Sequence, residues 1–404
     1  MKPAATAPAR ILPHAPAANG GPVGAPLLRL AFRPFYTLAA AAAVVLMLLW
    51  GALGLGVIGL RSGLSPPLWH GHEMLFGFVA AAVVGFLLTA GKVWTGLSTP
   101  RGLGLGLLAA LWLGARVTAL TGPRQAFVAL DILFLPIAAA VLLSVVLRSR
   151  NWRNLRVGGV LLLLALANGW FHLADGGWVQ GAAELGLDAG IAVMVLLMSL
   201  IGGRVIPAFT LSAVPGLKLR TSRAGEAVMV LLTASGLALW LGGWWPALSS
   251  GVLALAAVAQ AARWWSWRPW VSRSKPLLWV LHLSYAWLPV GLALLAASQA
   301  GWVATGAARH ALTVGAMGGL ILGMMTRTAR GHTGRFLHAS PDETCAYALV
   351  FLAAVARVAA PLLPGPWLTP MLWAAGALWV VAFSLYLLRF TPWLFAARVD
   401  GRDG

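Results

Sequence analysis

Long apolar runs follow one another from about residue 35 to residue 390, broken at short intervals by Gly, Pro and Arg. Runs of 18 or more residues without sustained charge can cross a hydrocarbon layer about 30 Å thick at about 1.5 Å per helical residue. Twelve can be marked, at 35–60, 70–92, 103–121, 126–147, 156–174, 180–202, 225–243, 246–263, 277–298, 302–326, 343–362 and 368–390. The pattern predicts an all-α polytopic transmembrane helical bundle of about twelve spans, filling residues 27–393. A short C-terminal tail, 394–404, follows it. The N-terminal stretch, 1–26, is rich in Pro and Ala and has no continuous apolar core, so it reads as a disordered cytoplasmic tail rather than a cleaved signal. His14 within it is incidental on that reading. The loops are short and leave no soluble domain.

Composition reinforces this picture. The chain is 60% hydrophobic and 10% charged, where a soluble protein is about a quarter charged. Its mean hydropathy is +0.84. The single cysteine, Cys345, excludes an intrachain disulfide and a sulfur-ligated cluster. Any metal must therefore be held by histidine, carboxylate or methionine.

The net charge of +19 raises nucleic acid as a partner, and the placement of the basic residues answers it. Of 29 Lys and Arg residues, only Arg61, Arg116, Arg124, Arg309 and Arg357 fall on one side of the predicted spans; the other 24 fall on the opposite side. Cytoplasmic loops collect such charge, so both termini are expected in the cytoplasm. The lipid bilayer, with its anionic head groups, is then sufficient partner for the basic loops, and no nucleic acid is needed. Trp244-Trp245 and Trp264-Trp265-Ser266-Trp267 stand at predicted span ends, as interfacial tryptophans do.

The orientation gives each polar residue a depth. His70 and His72 head the second span, His172 ends the fifth, and His310 lies on the outer side of the tenth, about 12 Å in from a start near 302. Four histidines from three helices thus share the outer level with Arg116, Arg124, Arg309, Arg357, Glu73, Asp131, Asp175, Glu184 and Asp188. Ionisable groups inside a membrane usually face the bundle interior and mark function. A lone histidine there is as readily an interfacial side chain; the set favours ligation of a metal or cofactor, since neutral imidazole binds haem iron, copper and zinc. At about 100° per residue, His70 and His72 point in different directions on one helix. Either His70 bends round from the Ser65-Pro66-Pro67 turn, or the two serve different centres. Glu73 lies near the face of His70 and either orients its other ring nitrogen or pairs with an outer arginine. The outer arginines either pair with the outer carboxylates or, Arg309 foremost, hold the carboxylates of a bound cofactor such as haem. On the cytoplasmic side, His282 and Tyr285 offer a proton relay, a second cofactor ligand or a core hydrogen bond. His332, assigned to the loop after the tenth span, reads as an anion contact, a ligand or a solvated side chain. Gly315, Gly319 and Gly323, spaced by four, predict close helix packing.

Four segments together resemble the NnrS family: WHGHEMLFGF (69–78), RVIPAFT (204–210), HLSYAWLPVG (282–291) and HALTVGAMGGLILGMMTRTARGHTGR (310–335). RLAFRPFY (29–36) fits as well, and the resemblance covers about 27–390. It implies a multi-pass protein of the bacterial inner membrane that carries haem and copper and is tied to nitric oxide tolerance and denitrification. Nitric oxide is then the expected small-molecule ligand, with electrons from a quinol or a partner protein. Histidines within the matched segments are His70, His72, His282, His310 and His332; His172 is added on depth alone. A multi-span transporter of a metal ion or small anion is the competing expectation, because twelve helices, buried charges and a broken-looking GGRVIPAF segment also suit a carrier.

Overall fold

The computed structural model describes residues 24–219, 222–363 and 365–402. The N-terminal tail, His14 included, lies almost wholly outside them. Among the described residues there are twelve long helices and no strand. They are α1 (Phe32–Gly54), α2 (Pro66–Thr95), α3 (Leu103–Thr121), α4 (Arg124–Arg148), α5 (Leu155–Asp175), α6 (Glu184–Ala213), α7 (Arg223–Gly242), α8 (Pro246–Ser266), α9 (Pro276–Gln299), α10 (305–332), α11 (Pro341–Ala359) and α12 (Leu368–Phe395). Among the described residues, ten spans are long and apolar enough to cross a membrane. The chain is a multi-pass membrane protein.

The twelve runs and the twelve helices correspond, with corrections at their ends: the first helix stops at Gly54 rather than at 60. The tenth helix starts at 305 and continues to His332, so this histidine ends α10 rather than lying in a loop. The sixth runs on to Ala213, straight through Pro207. GGRVIPAF is therefore unbroken helix: surrounding packing tolerates the lost backbone bond at proline. The twelfth reaches Phe395.

Short connections make successive helices antiparallel, and α1 packs against α12 as well as α2, bringing the two ends of the chain together. Apolar side chains such as Leu48, Leu107, Leu166, Leu231, Val258 and Leu388 face outward, where lipid solvates them. Arg33, Glu73, His72, Asp131 and Gln260 are buried inside, an inversion of a soluble core. The most enclosed span is α2, its small residues Ala80, Ala81, Ala82 and Gly85 letting neighbours approach. An apolar cavity opens between α1, α2, α6, α9 and α10, and Met194, Met198, Met324 and Met325 are among its walls.

The glycine ladder of α10 packs as its spacing predicts. A Cβ on Gly315 would lie 2.5 Å from Trp287, one on Gly323 2.9 Å from Leu281, and one on Gly319 would collide with Ser284, all on α9. Gly319→Val is expected to cost about 1–3 kcal/mol by overpacking this contact, read as a fall in the thermal unfolding midpoint in detergent.

Two helices depart from α geometry. In α2 the turn Glu73–Val79 is a π-helix, beginning directly after His72. In α10 the turn Ala311–Gly318 is a π-helix, beginning directly after His310. Such wide turns occur often at functional sites, and here each follows a histidine.

Candidate metal centre

The end of the bundle where α2 begins gathers the outer histidines, but into two groups. In the first, α2 supplies His72 and Glu73, α3 Arg116, α4 Asp131, and α5 Asn168 and His172. Asn168 and His172 are four apart and share one face of α5. Trp112 and Arg116 share a face of α3 turned to the π-helical turn of α2, where the Trp112 indole donates to the Gly77 carbonyl at 3.2 Å. Gly77 is small because Arg116 lies over it: a Cβ would stand 3.0 Å from Nη1.

The polar atoms interlock. His72 Nε2 meets Asn168 Oδ1 at 3.0 Å and stands 3.2 Å from Asp131 Oδ2; His172 Nε2 is 2.8 Å from that same carboxylate oxygen, which also accepts from Asn168 Nδ2 at 2.7 Å. His72 Nδ1 meets Glu73 Oε1 at 3.0 Å, and Arg116 donates to that same oxygen at 2.6 Å and to Asp131 Oδ1. All six side chains are buried, and Phe76, Phe127 and Phe171 pack against the two imidazoles.

Among the described residues, His72, Asp131 and His172 are the one set of three such groups whose ligand atoms all lie within 4.8 Å of one another. A tetrahedral site with metal–nitrogen bonds of about 2.0–2.1 Å has edges of about 3.3 Å, close to the two separations from Asp131. Two imidazoles and a carboxylate suit copper, iron or zinc. A carboxylate on the far ring nitrogen, as Glu73 is on His72, fixes the orientation of a ligating imidazole. Charge points the same way. Glu73 and Asp131 face one guanidinium, so with neutral imidazoles the cluster carries one net negative charge. Uncompensated charge in a membrane interior is costly, and one bound cation or proton balances it.

The second group is His70 on α2 and His310 on α10. His70 stacks on Trp50 of α1, with ring centroids 4.5 Å apart at 20°, and its Nδ1 is buried without a hydrogen-bond partner. His310 Nδ1 lies 2.7 Å from the Gly306 carbonyl. A carbonyl only accepts, so Nδ1 carries the proton and Nε2 keeps its lone pair, as in an imidazole ready to ligate. The two histidines and Arg357 are within electrostatic reach of one another. An imidazole nitrogen with a free lone pair can ligate a metal.

His70 and His72 thus serve different groups, the second of the two arrangements the helical angle allowed. Glu73 supports His72 rather than His70, and also takes the arginine pairing. Arg309 forms a two-bond pair with Asp188, at 2.7 and 2.6 Å, and Arg124 pairs with Asp175. His282 and His332 join neither group. His282 Nε2 donates to Thr210 Oγ1 at 2.9 Å, because that hydroxyl itself donates to Ile206. Tyr285 bonds to Gln260 and Arg263, not to His282, so the pair forms no relay. His332 packs its ring 5.5 Å from Phe32 at the opposite end of the bundle.

Sequence reasoning missed Asp131 as a ligand and Asn168 altogether. The available signal was a lone carboxylate inside an apolar span and a polar residue one turn before His172.

A family model described as NnrS protein matches residues 26–398. No curated protein matches the chain.

Proposed function

The chain belongs to the NnrS family, and on that premise we propose that it is a haem- and copper-binding protein of the bacterial inner membrane that binds nitric oxide at a histidine-ligated metal within the bilayer. The observation behind this reading is the buried His72–Asp131–His172 set with its Glu73 support. Those three residues would hold copper; His70 and His310 would hold haem, which when bound supplies an iron able to take nitric oxide. The basic-residue count supports an orientation with the histidine-bearing end toward the periplasm and both termini in the cytoplasm.

The surrounding residues have their own work in this reading. Glu73 holds the His72 ring so that Nε2 faces Asp131. Phe76, Phe127 and Phe171 keep water from the imidazoles. Arg116 fixes both carboxylates and limits how much negative charge a bound cation must offset. The methionine-walled cavity gives a neutral, lipid-soluble diatomic an apolar space inside the bundle. Turning nitric oxide over by reduction would require electrons from a quinol or a partner protein.

Metal analysis and optical and EPR spectra of the purified protein test this directly. His172→Ala is expected to lose copper and keep the Soret band, and His310→Ala to lose the Soret band and keep copper. Glu73→Gln should weaken copper about 10–100-fold. Wild-type protein with neither copper nor a Soret band would defeat the proposal. The transporter reading has lost its broken helix, since α6 is continuous through Pro207. Flux through proteoliposomes that persists without His70, His72 and His310 would restore it.

A further inference from the structure

We infer that Arg357 is an anion-binding group facing His70 and His310, and that its ligand is a singly charged oxyanion. The inference rests on the assignment of haem to those two histidines only for one of the two possible sources of the anion.

The reasoning is by charge and by partner. Three of the arginines at this end have carboxylates of their own: Arg116 has Glu73 and Asp131, Arg124 has Asp175, and Arg309 has Asp188. Arg61 is exposed. Arg357 is half-buried in the last turn of α11 and, among the described residues, forms no hydrogen bond or ion pair. Residues 305–310 of α10, which end at His310, pack on α11, and the His70 ring stacks on Trp50 of α1. Its charge reaches both imidazoles.

The two groups at this end are therefore complementary. The His72 cluster, counted with neutral imidazoles, has one negative charge that a single cation or proton balances. The His70–His310 group has one positive charge too many and suits an anion. A guanidinium with free donors binds a carboxylate or a similar planar oxyanion through two parallel hydrogen bonds. A carboxylate of the bound haem and a free oxyanion such as nitrite present the same chemistry.

The test uses purified full-length Arg357→Gln and Arg357→Lys beside the wild type, with copper content at His72–Asp131–His172 as the control for correct folding. If the anion belongs to haem, Arg357→Gln is expected to retain several-fold less haem and to shift its midpoint potential negative, with Arg357→Lys intermediate. If it is free, titration with sodium nitrite should shift the wild-type Soret band or raise the unfolding midpoint, with at least tenfold weaker affinity in Arg357→Gln. The unfolding arm needs no haem, so it still reports if the haem assignment itself fails. Equal haem retention, equal potential and equal nitrite response in wild type and Arg357→Gln would overturn the inference and leave Arg357 as an interfacial side chain reaching for water.

Discussion

Arg116→Met is expected to destabilise the protein by about 3–5 kcal/mol, the cost typical of removing one partner from a buried ion pair. The guanidinium is bonded to Glu73 Oε1 and Asp131 Oδ1 together, and all three groups are buried. Without it two carboxylates remain in an apolar interior with only neutral imidazoles and Asn168 beside them. Methionine fills similar volume and bears no charge, so the loss reads electrostatics more than packing. Thermal unfolding in detergent measures it. Adding Glu73→Gln to Arg116→Met removes one stranded charge and should recover part of the loss. An unfolding midpoint unchanged by Arg116→Met would mean the cluster is solvated, and the charge argument for a bound cation would fall.

Asp131→Asn should separate metal binding from stability. The substitution preserves shape but removes the anionic ligand oxygen, and copper affinity is expected to drop more than the 10–100-fold seen on losing a supporting residue. Yet Glu73 and Arg116 then balance each other, so the unfolding midpoint of the metal-free protein should fall by no more than the equivalent of about 1 kcal/mol. Metal analysis and thermal unfolding on one preparation decide it. A variant that keeps its copper shows that Asp131 is a structural anchor only.

Much of the architecture was legible because lipid imposes a simple rule: spans must be long, apolar and helical. Twelve runs gave twelve helices. Gly315, Gly319 and Gly323 announced a close helix contact by spacing alone, though not which neighbour they meet, and the angle between positions 70 and 72 left two arrangements of those histidines open. The errors were at boundaries, where Pro207 failed to stop α6 and basic residues failed to stop α10. Local sequence cannot report packing that tolerates a proline or carries a charged helix end beyond the apolar run. The site was half legible. Depth placed His70, His72, His172 and His310 at one end, but which imidazole meets which depends on helix rotation and neighbours. Asp131 and Asn168 lie 59 and 96 residues from His72 in the chain, and only tertiary contact makes them partners.

The π-helical turn after His310 sets the phase of everything that follows it. Each extra residue in such a turn swings the downstream side chains by about 100° relative to an uninterrupted coil. Gly319 meets Ser284, and Gly323 meets Leu281, on the far side of that turn. An α10 wound regularly throughout could aim its imidazole inward or seat its smooth flank on α9, but not both. The surplus residue works as a coupling between two sections of one shaft, letting a histidine-bearing head and a close-packing stem keep separate bearings on the same rod.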